Sequence, residues 1–137
     1  MDSNEYLFAF GFEPLDESVE LLTLLGRRHG AFNIHLPRLV VDEVTRNLPA
    51  PLMKECHRFW KTCGAVIDEE EIIPLGTIKS FRERGLKSGD ATIAAYCAHL
   101  KIRILVSENR DFLALTKSLP FRVLKSAEFL KVISRST

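Results

Sequence analysis

Apolar residues recur along the chain at two spacings, one typical of helices and one typical of buried strands. The helical spacing predicts helices at 15–28, 37–48, 52–63, 75–84, 90–100 and 127–133. Short apolar runs between them predict strands at 31–36, 65–67, 102–106 and 121–124. Helices alternating with strands favour a mainly parallel sheet covered on both faces. We therefore expect an α/β fold, a three-layer α/β/α sandwich with a mainly parallel central sheet, spanning residues 1–137 as one domain.

Two acidic residues occupy positions that such a fold brings together. Asp90 opens the Ala-rich helix 90–100, and Asp111 lies just past the end of strand 102–106. Ligands of parallel sheets bind beyond the carboxyl ends of the strands. Carboxylates that converge repel one another, so a site built from them usually holds a hard cation. The spacing therefore predicts a divalent-metal site suited to phosphate chemistry.

Four motifs around these acids resemble those of the PIN-domain nucleases, which include the VapC-type toxins of toxin–antitoxin pairs. They are Asp-Ser-Asn at 2–4, Leu-Pro-Arg-Leu-Val-Val-Asp-Glu-Val at 36–44, Gly-Asp-Ala-Thr-Ile-Ala-Ala at 89–95 and Leu-Val-Ser-Glu-Asn-Arg-Asp-Phe at 105–112. Each motif alone is weakly specific. Their order and spacing together make the resemblance informative.

The resemblance implies a set of site residues and a reaction. The acidic quartet would be Asp2, Glu43, Asp90 and Asp111, with the polar residues Asn4, Ser107 and Asn109 beside it. Mg²⁺ or Mn²⁺ would be held by Asp2, Asp90 and Asp111, partly through water, and Glu43 would orient the attacking water or support the metal ligands from behind. Ser107 and Asn109 would position the carboxylates or a phosphate. The implied activity is endonucleolytic hydrolysis of single-stranded or loop RNA. The implied partners are an antitoxin protein and a second copy of the chain.

The start of the chain departs from the family pattern, because only Met1 precedes Asp2 where a full apolar strand is expected. A truncated first strand favours an alternative, a catalytically impaired PIN-fold module that binds or scaffolds. A phospho-acceptor receiver domain is a further alternative, with Asp68, Ser107 and Lys125 at its strand ends. A phosphatase of the haloacid dehalogenase type would need a second acid at position 4, where this chain has Asn4.

Composition, net charge and cysteine content limit the class of protein and the compartment in which it is expected. Of its 137 residues 46% are hydrophobic and 27% charged, which is typical of a soluble globular domain. A net charge of +1 argues against long-range electrostatic capture of nucleic acid. The three cysteines have no metal-ligand spacing and suit a reducing compartment. No apolar run approaches the roughly 20 residues of a membrane span, and no signal peptide opens the chain, so we expect a cytoplasmic protein without a membrane partner.

In helix 52–63, the stripe Leu52, Cys56, Phe59 and Cys63 is expected to face the core.

Overall fold

A computed structural model describes residues 16–28, 30, 32–69 and 72–135. Its helices are α1 (Asp16–Arg27), α2 (Arg38–Asn47), α3 (Ala50–Thr62), α4 (Leu75–Glu83), α5 (Ser88–His99), α6 (Arg110–Ala114) and α7 (Ser126–Arg135), with a 3₁₀ turn at Thr116–Ser118. Its strands are β1 (His35–Pro37), β2 (Val66–Asp68), β3 (Ile104–Val106) and β4 (Arg122–Leu124). In these described ranges no helix is long and apolar enough to cross a bilayer.

The four strands form two separate parallel pairs. β1 pairs with β2 and places Leu36 opposite Ile67, and β3 pairs with β4 and places Leu105 opposite Val123. The expectation of an α/β fold with parallel strands is therefore confirmed. Within the described ranges the two pairs are not joined into one sheet, so the three-layer sandwich with a single central sheet stays a prediction. Each strand has three residues, and the predicted strands at 31–36 and 102–106 are longer than the observed ones.

Helix α5 is the centre of the packing. Its Ala91, Ala94 and Ala95 are completely buried, and Tyr96 is only 1% exposed. Alanine has no side chain beyond Cβ, so a neighbouring element can approach the helix closely. The same buried cluster contains residues from both sheets, including Leu36 and Leu105. The Ala-rich pattern that predicts a helix packed on a sheet is confirmed here.

Strands β1 and β3 both run opposite to α5. Near the carboxyl end of the helix, the Ile102 amide donates to the carbonyl of Cys97 at 2.9 Å, just before β3 begins. At the amino end, a Cβ added at Gly89 would lie 3.9 Å from Cδ2 of Leu39, two residues past β1. The carboxyl ends of β1 and β3 therefore meet at the first turn of α5, which is where the candidate site lies.

Helices α1 and α7 pack against each other. The Arg28 guanidinium, just after α1, donates to the carbonyl of Ile133 near the end of α7 at 3.2 Å. It also lies 5.7 Å from the ring of Phe32, which packs edge-on against Phe129 of α7. Since α7 follows β4 directly, its beginning lies at the carboxyl edge of the strands.

A polar contact ties α5 to the first sheet. The hydroxyl of Tyr96 donates to Oδ2 of Asp68, the last residue of β2, at 2.5 Å. Nδ1 of His35 lies 3.5 Å from the same oxygen. A buried hydroxyl needs a partner, and a carboxylate is the strongest acceptor that a side chain offers. This contact fixes the position of α5 against β2.

The buried face of α3 differs from the expected stripe. Met53, Cys56 and Trp60 are buried, whereas Leu52 and Phe59 are only partly buried. The expectation is confirmed for Cys56 and Cys63, which are buried, and in part for Leu52 and Phe59, which pack against the core but are only partly buried. The apolar residues of this helix cover two adjacent faces, so periodicity alone does not distinguish them.

Burial controls the chemistry of the cysteines. Cys56, Cys63 and Cys97 are all buried, and none of the three forms a disulfide. Desolvation raises the pKa of the Cys56 thiol from 9.0 to about 12 and also raises the pKa of Cys63. The thiolate is the reactive form, so both thiols are unreactive in the native chain.

We predict that stability falls as pH rises from about 9 towards 12, because the unfolded chain releases the Cys56 proton first. Urea unfolding at pH 8 and pH 10 measures the loss. Cys56→Ala should remove about 1 kcal/mol of it, one pKa unit being about 1.4 kcal/mol. An equal pH dependence in wild type and variant would contradict the burial of this thiol.

Candidate functional site

A single amide side chain joins the two acidic motifs. Nδ2 of Asn109 donates to Oδ2 of Asp90 at 3.1 Å. Oδ1 of Asn109 accepts from the backbone N–H of Asp111 at 2.9 Å and caps helix α6. The amide nitrogen and oxygen thus each have the partner that their chemistry requires, which fixes the orientation of the group. Asn109 therefore holds the carboxylate of Asp90 beside the turn that carries Asp111.

The turn that presents Asn109 is anchored at both ends. The buried Ser107 directly follows β3, and its hydroxyl oxygen accepts from the Asn109 N–H at 3.0 Å, while its own N–H donates to Leu124 at 3.0 Å. The carboxylate of Glu108 accepts from the N–H of the buried Ser126 at 3.0 Å. These bonds tie the turn to β4 and to the start of α7. The predicted positioning role of Ser107 is consistent with this geometry.

Asp111 occupies the first turn of α6 and is exposed. An acid there is favoured by the unpaired N–H groups of a helix start. Its backbone is held by Asn109, so its side chain projects from a fixed base into solvent. Asp90, in the first turn of α5, is half-buried.

Glu43 lies on the helix that contacts the start of α5. Leu39 of α2 is beside Gly89, and Glu43 follows Leu39 by four residues, so both lie on one face of the helix. Glu43 is half-buried, whereas its neighbour Asp42 is exposed. The structure thus places Glu43 one helical turn, about 5.4 Å along the axis, beyond the contact with α5.

Three or more potential metal ligands do not cluster anywhere in the described residues. Asp90 lies together with Asn109, Ser107 and the backbone of Asp111, and no third carboxylate joins them from the described part of the chain. Asp2 and Asn4, the remaining predicted site residues, lie outside the described residues. Two carboxylates and an amide at an open edge suit Mg²⁺, which keeps several water ligands and takes only one or two carboxylates.

Two cations flank this edge. Lys87 caps the start of α5 and Arg110 is the first residue of α6, and both are exposed. Arg84, by contrast, is held in structural contacts: its guanidinium donates to the carbonyl of Ser118 at 2.9 Å and lies 4.6 Å from the centroid of the Phe81 ring. Lys87 and Arg110 are therefore the better-placed groups for a phosphate at this site.

The contact of Asp68 with Tyr96 was not expected from the sequence. The sequence predicts a role for Asp68 only in the receiver alternative, as a phospho-acceptor, and none for Tyr96. The two residues are 28 positions apart, and no local pattern links them. One oxygen of Asp68 accepts from a buried hydroxyl, which disfavours the receiver alternative.

Comparisons with protein-family models, with curated proteins and with solved structures find no match to this chain.

We predict that Asn109→Ala lowers the free energy of unfolding by about 1–3 kcal/mol, because it removes a helix cap and a hydrogen bond to a charged group. Asn109→Ser should lose less, since serine keeps the capping oxygen. Urea unfolding of both variants, alone and with Asp90→Ala, measures the two contributions. Equal losses for Ala and Ser would contradict the capping role.

Proposed function

We propose that this chain is a divalent-metal-dependent endoribonuclease with a PIN-like, three-layer architecture and its active site at the first turn of α5. The observation that supports this most is the hydrogen bond from Asn109 to Asp90, which joins two of the four resembling motifs in space. Asp90 and Asn109 are 19 positions apart in sequence, so their contact depends on how the segments pack and not on local structure.

The described residues have distinct parts in the proposed reaction. Asp90 and Asp111 would hold Mg²⁺ or Mn²⁺, either directly or through a water molecule. When bound, the ion makes a water molecule a better nucleophile and neutralises charge that develops on the phosphate. Asn109 keeps Asp90 in place, and Ser107 keeps Asn109 in place. Glu43 orients the attacking water and accepts its proton.

The proposed substrate is single-stranded or loop RNA. Lys87 and Arg110 contact its phosphates beside the acidic pair, which suits a polyanion approaching an acidic centre. The net charge of +1 limits attraction to this local region. Unstacked bases let the backbone bend into an open edge, which a duplex does not permit.

The resemblance extends the proposal to the biological role. In that role the chain acts as a toxin that cleaves RNA in the cytoplasm. It assembles as a homodimer and is inhibited by an antitoxin protein. The residue pattern supports this role only through the family likeness.

A binding or scaffolding module is the second candidate. It is favoured by the lack of a three-carboxylate cluster among the residues described. Such a module keeps the Asn109 contact for stability and needs no metal. Metal response and RNA cleavage distinguish it from a nuclease.

We predict that Mn²⁺ raises the melting temperature of the wild type and supports cleavage of an unstructured RNA. Asp90→Asn and Asp111→Asn should each lower cleavage by about 100-fold or more, since loss of even an outer-sphere partner costs about 10–100-fold. Asp42→Asn is the matched control, because it makes the same chemical change at an exposed acid outside the proposed metal site. Differential scanning fluorimetry and a gel assay measure both effects.

Full cleavage by Asp90→Asn, or losses as large in Asp42→Asn, would exclude the proposed metal site. A wild type without cleavage on any single-stranded RNA, but with normal stability, would favour the scaffold.

A further inference from the structure

The connection between β3 and β4 crosses the molecule from the candidate site to the opposite edge. The two strands are parallel, so the chain that leaves the carboxyl end of β3 must return to the amino edge before β4 begins. It passes Arg110 at the start of α6, Lys117 in the 3₁₀ turn and Arg122, the first residue of β4. All three cations are exposed. The carbonyl of Ser118 accepts from Arg84 at 2.9 Å, which holds the turn beside the end of α4.

Two further cations lie at the amino edge. Lys101 follows α5, Arg103 directly precedes β3, and both are exposed. The N–H of Arg122 donates to the carbonyl of Arg103 at 2.9 Å, so the two arginines lie on neighbouring strands, about 4.8 Å apart. Like charges on neighbouring strands repel each other, which a bound anion relieves. With the crossover they form a cationic track of Lys101, Arg103, Arg110, Lys117 and Arg122.

The sequence around the track contains few acids. Residues 91–107 and 112–127 contain no Asp or Glu, and the two acids between these ranges, Glu108 and Asp111, lie at the candidate site. In the described part of the chain, the ion pairs involve none of the track's cations. A row of such cations attracts a polyanion locally even where the net charge of the whole chain is only +1.

The backbone at Lys101 shows that this cation is kept at a conformational cost. Three helices end with a residue at positive φ: Gly64 after α3, Gly85 after α4 and Lys101, at φ 56°, after α5. In all three, the N–H of that residue donates to a carbonyl three positions back, and the next N–H donates to one five positions back. This helix ending favours glycine, because a Cβ in the left-handed region strains the backbone.

Strain of this kind persists mainly where a residue has a function besides its part in the fold. Glycine would end α5 as it ends α3 and α4, so the lysine is explained by its side chain. We propose that the cationic track binds the phosphates of a single RNA strand whose scissile phosphate lies at the candidate site. The choice of RNA rests on the proposed function.

The two ends of the track favour RNA over an acidic protein segment. At the end near the site, Asp90 and Asp111 repel a carboxylate, whereas a phosphate there is bridged to them by the proposed metal ion. Guanidinium groups also match the geometry of phosphate oxygens and form paired hydrogen bonds with them.

The length of the track determines how much RNA it covers. Lys101 follows α5 and Asp90 lies in its first turn, so the ends of the track are separated by about the length of this 12-residue helix, about 18 Å. Stacked nucleotides rise about 3.4 Å each, so about five of them span this distance. Lysine and arginine contacts to phosphate carry no base information, so the track binds RNA without regard to sequence.

Fluorescence polarisation of a labelled single-stranded oligouridine tests the track, using the full chain in EDTA so that no cleavage occurs. For single strands, the logarithm of the binding constant falls with that of the salt concentration by about 0.7 per phosphate contact. Lys101→Gly should reduce this slope by about 0.7, and its combination with Arg103→Gln and Arg122→Gln by about 2. Lys54→Gln, at an exposed cation of α3 outside the track, is the matched control and should leave the slope unchanged.

Lys101→Gly has a second expected effect, of opposite sign. Glycine relieves the strain of the left-handed position, so the melting temperature should rise while RNA binding weakens. A lysine that served only the fold would give a lower melting temperature and an unchanged salt slope. That result would overturn the role assigned to Lys101.

Two further results would overturn the track as a whole. One is a salt slope of the triple variant equal to that of the wild type, or a wild type that does not bind the oligouridine at low salt. The other is a polyglutamate that binds as tightly as the oligouridine and is lost in the same variant, which would indicate an acidic protein segment as the ligand.

The nuclease and the track fail separately. A wild type that binds the oligouridine with the expected slopes but does not cleave it with Mn²⁺ would refute the proposed function and leave the track in place. Cleavage with Mn²⁺, together with slopes that the variants do not change, would refute the track alone.

Discussion

A pair of parallel strands leaves both of its faces exposed unless other elements cover them. The fold therefore depends on how closely α5 covers both pairs. Parallel sheets need apolar cover on their faces, and two strands of three residues supply little of their own. Ala91, Ala94 and Ala95 are fully buried and let the helix approach closely, so that one helix contacts elements of both sheets. The bond from Tyr96 to Asp68 adds a fixed point to this otherwise non-directional packing.

The same helix explains why a polar site forms where it does. Because β1 and β3 run opposite to α5, their carboxyl ends converge on its first turn, where N–H groups are unpaired and negative charge is favoured. Asp90 is placed there by sequence position alone. Asn109 reaches it because Ser107 and Glu108 hold the turn after β3 against β4 and α7. Packing in the core therefore determines the geometry of a site at the surface.

The sequence predicted those features that depend on local pattern. The order and type of the described elements follow from periodicity, except for the short helix α6 and the 3₁₀ turn after it, which periodicity did not predict. Features that depend on contacts between distant segments were missed. The contact between Tyr96 and Asp68 and the buried face of α3 depend on how elements dock, which periodicity does not specify. The resemblance groups Asp90 with Asn109, and in the structure the two side chains are hydrogen-bonded, although neither residue alone is informative.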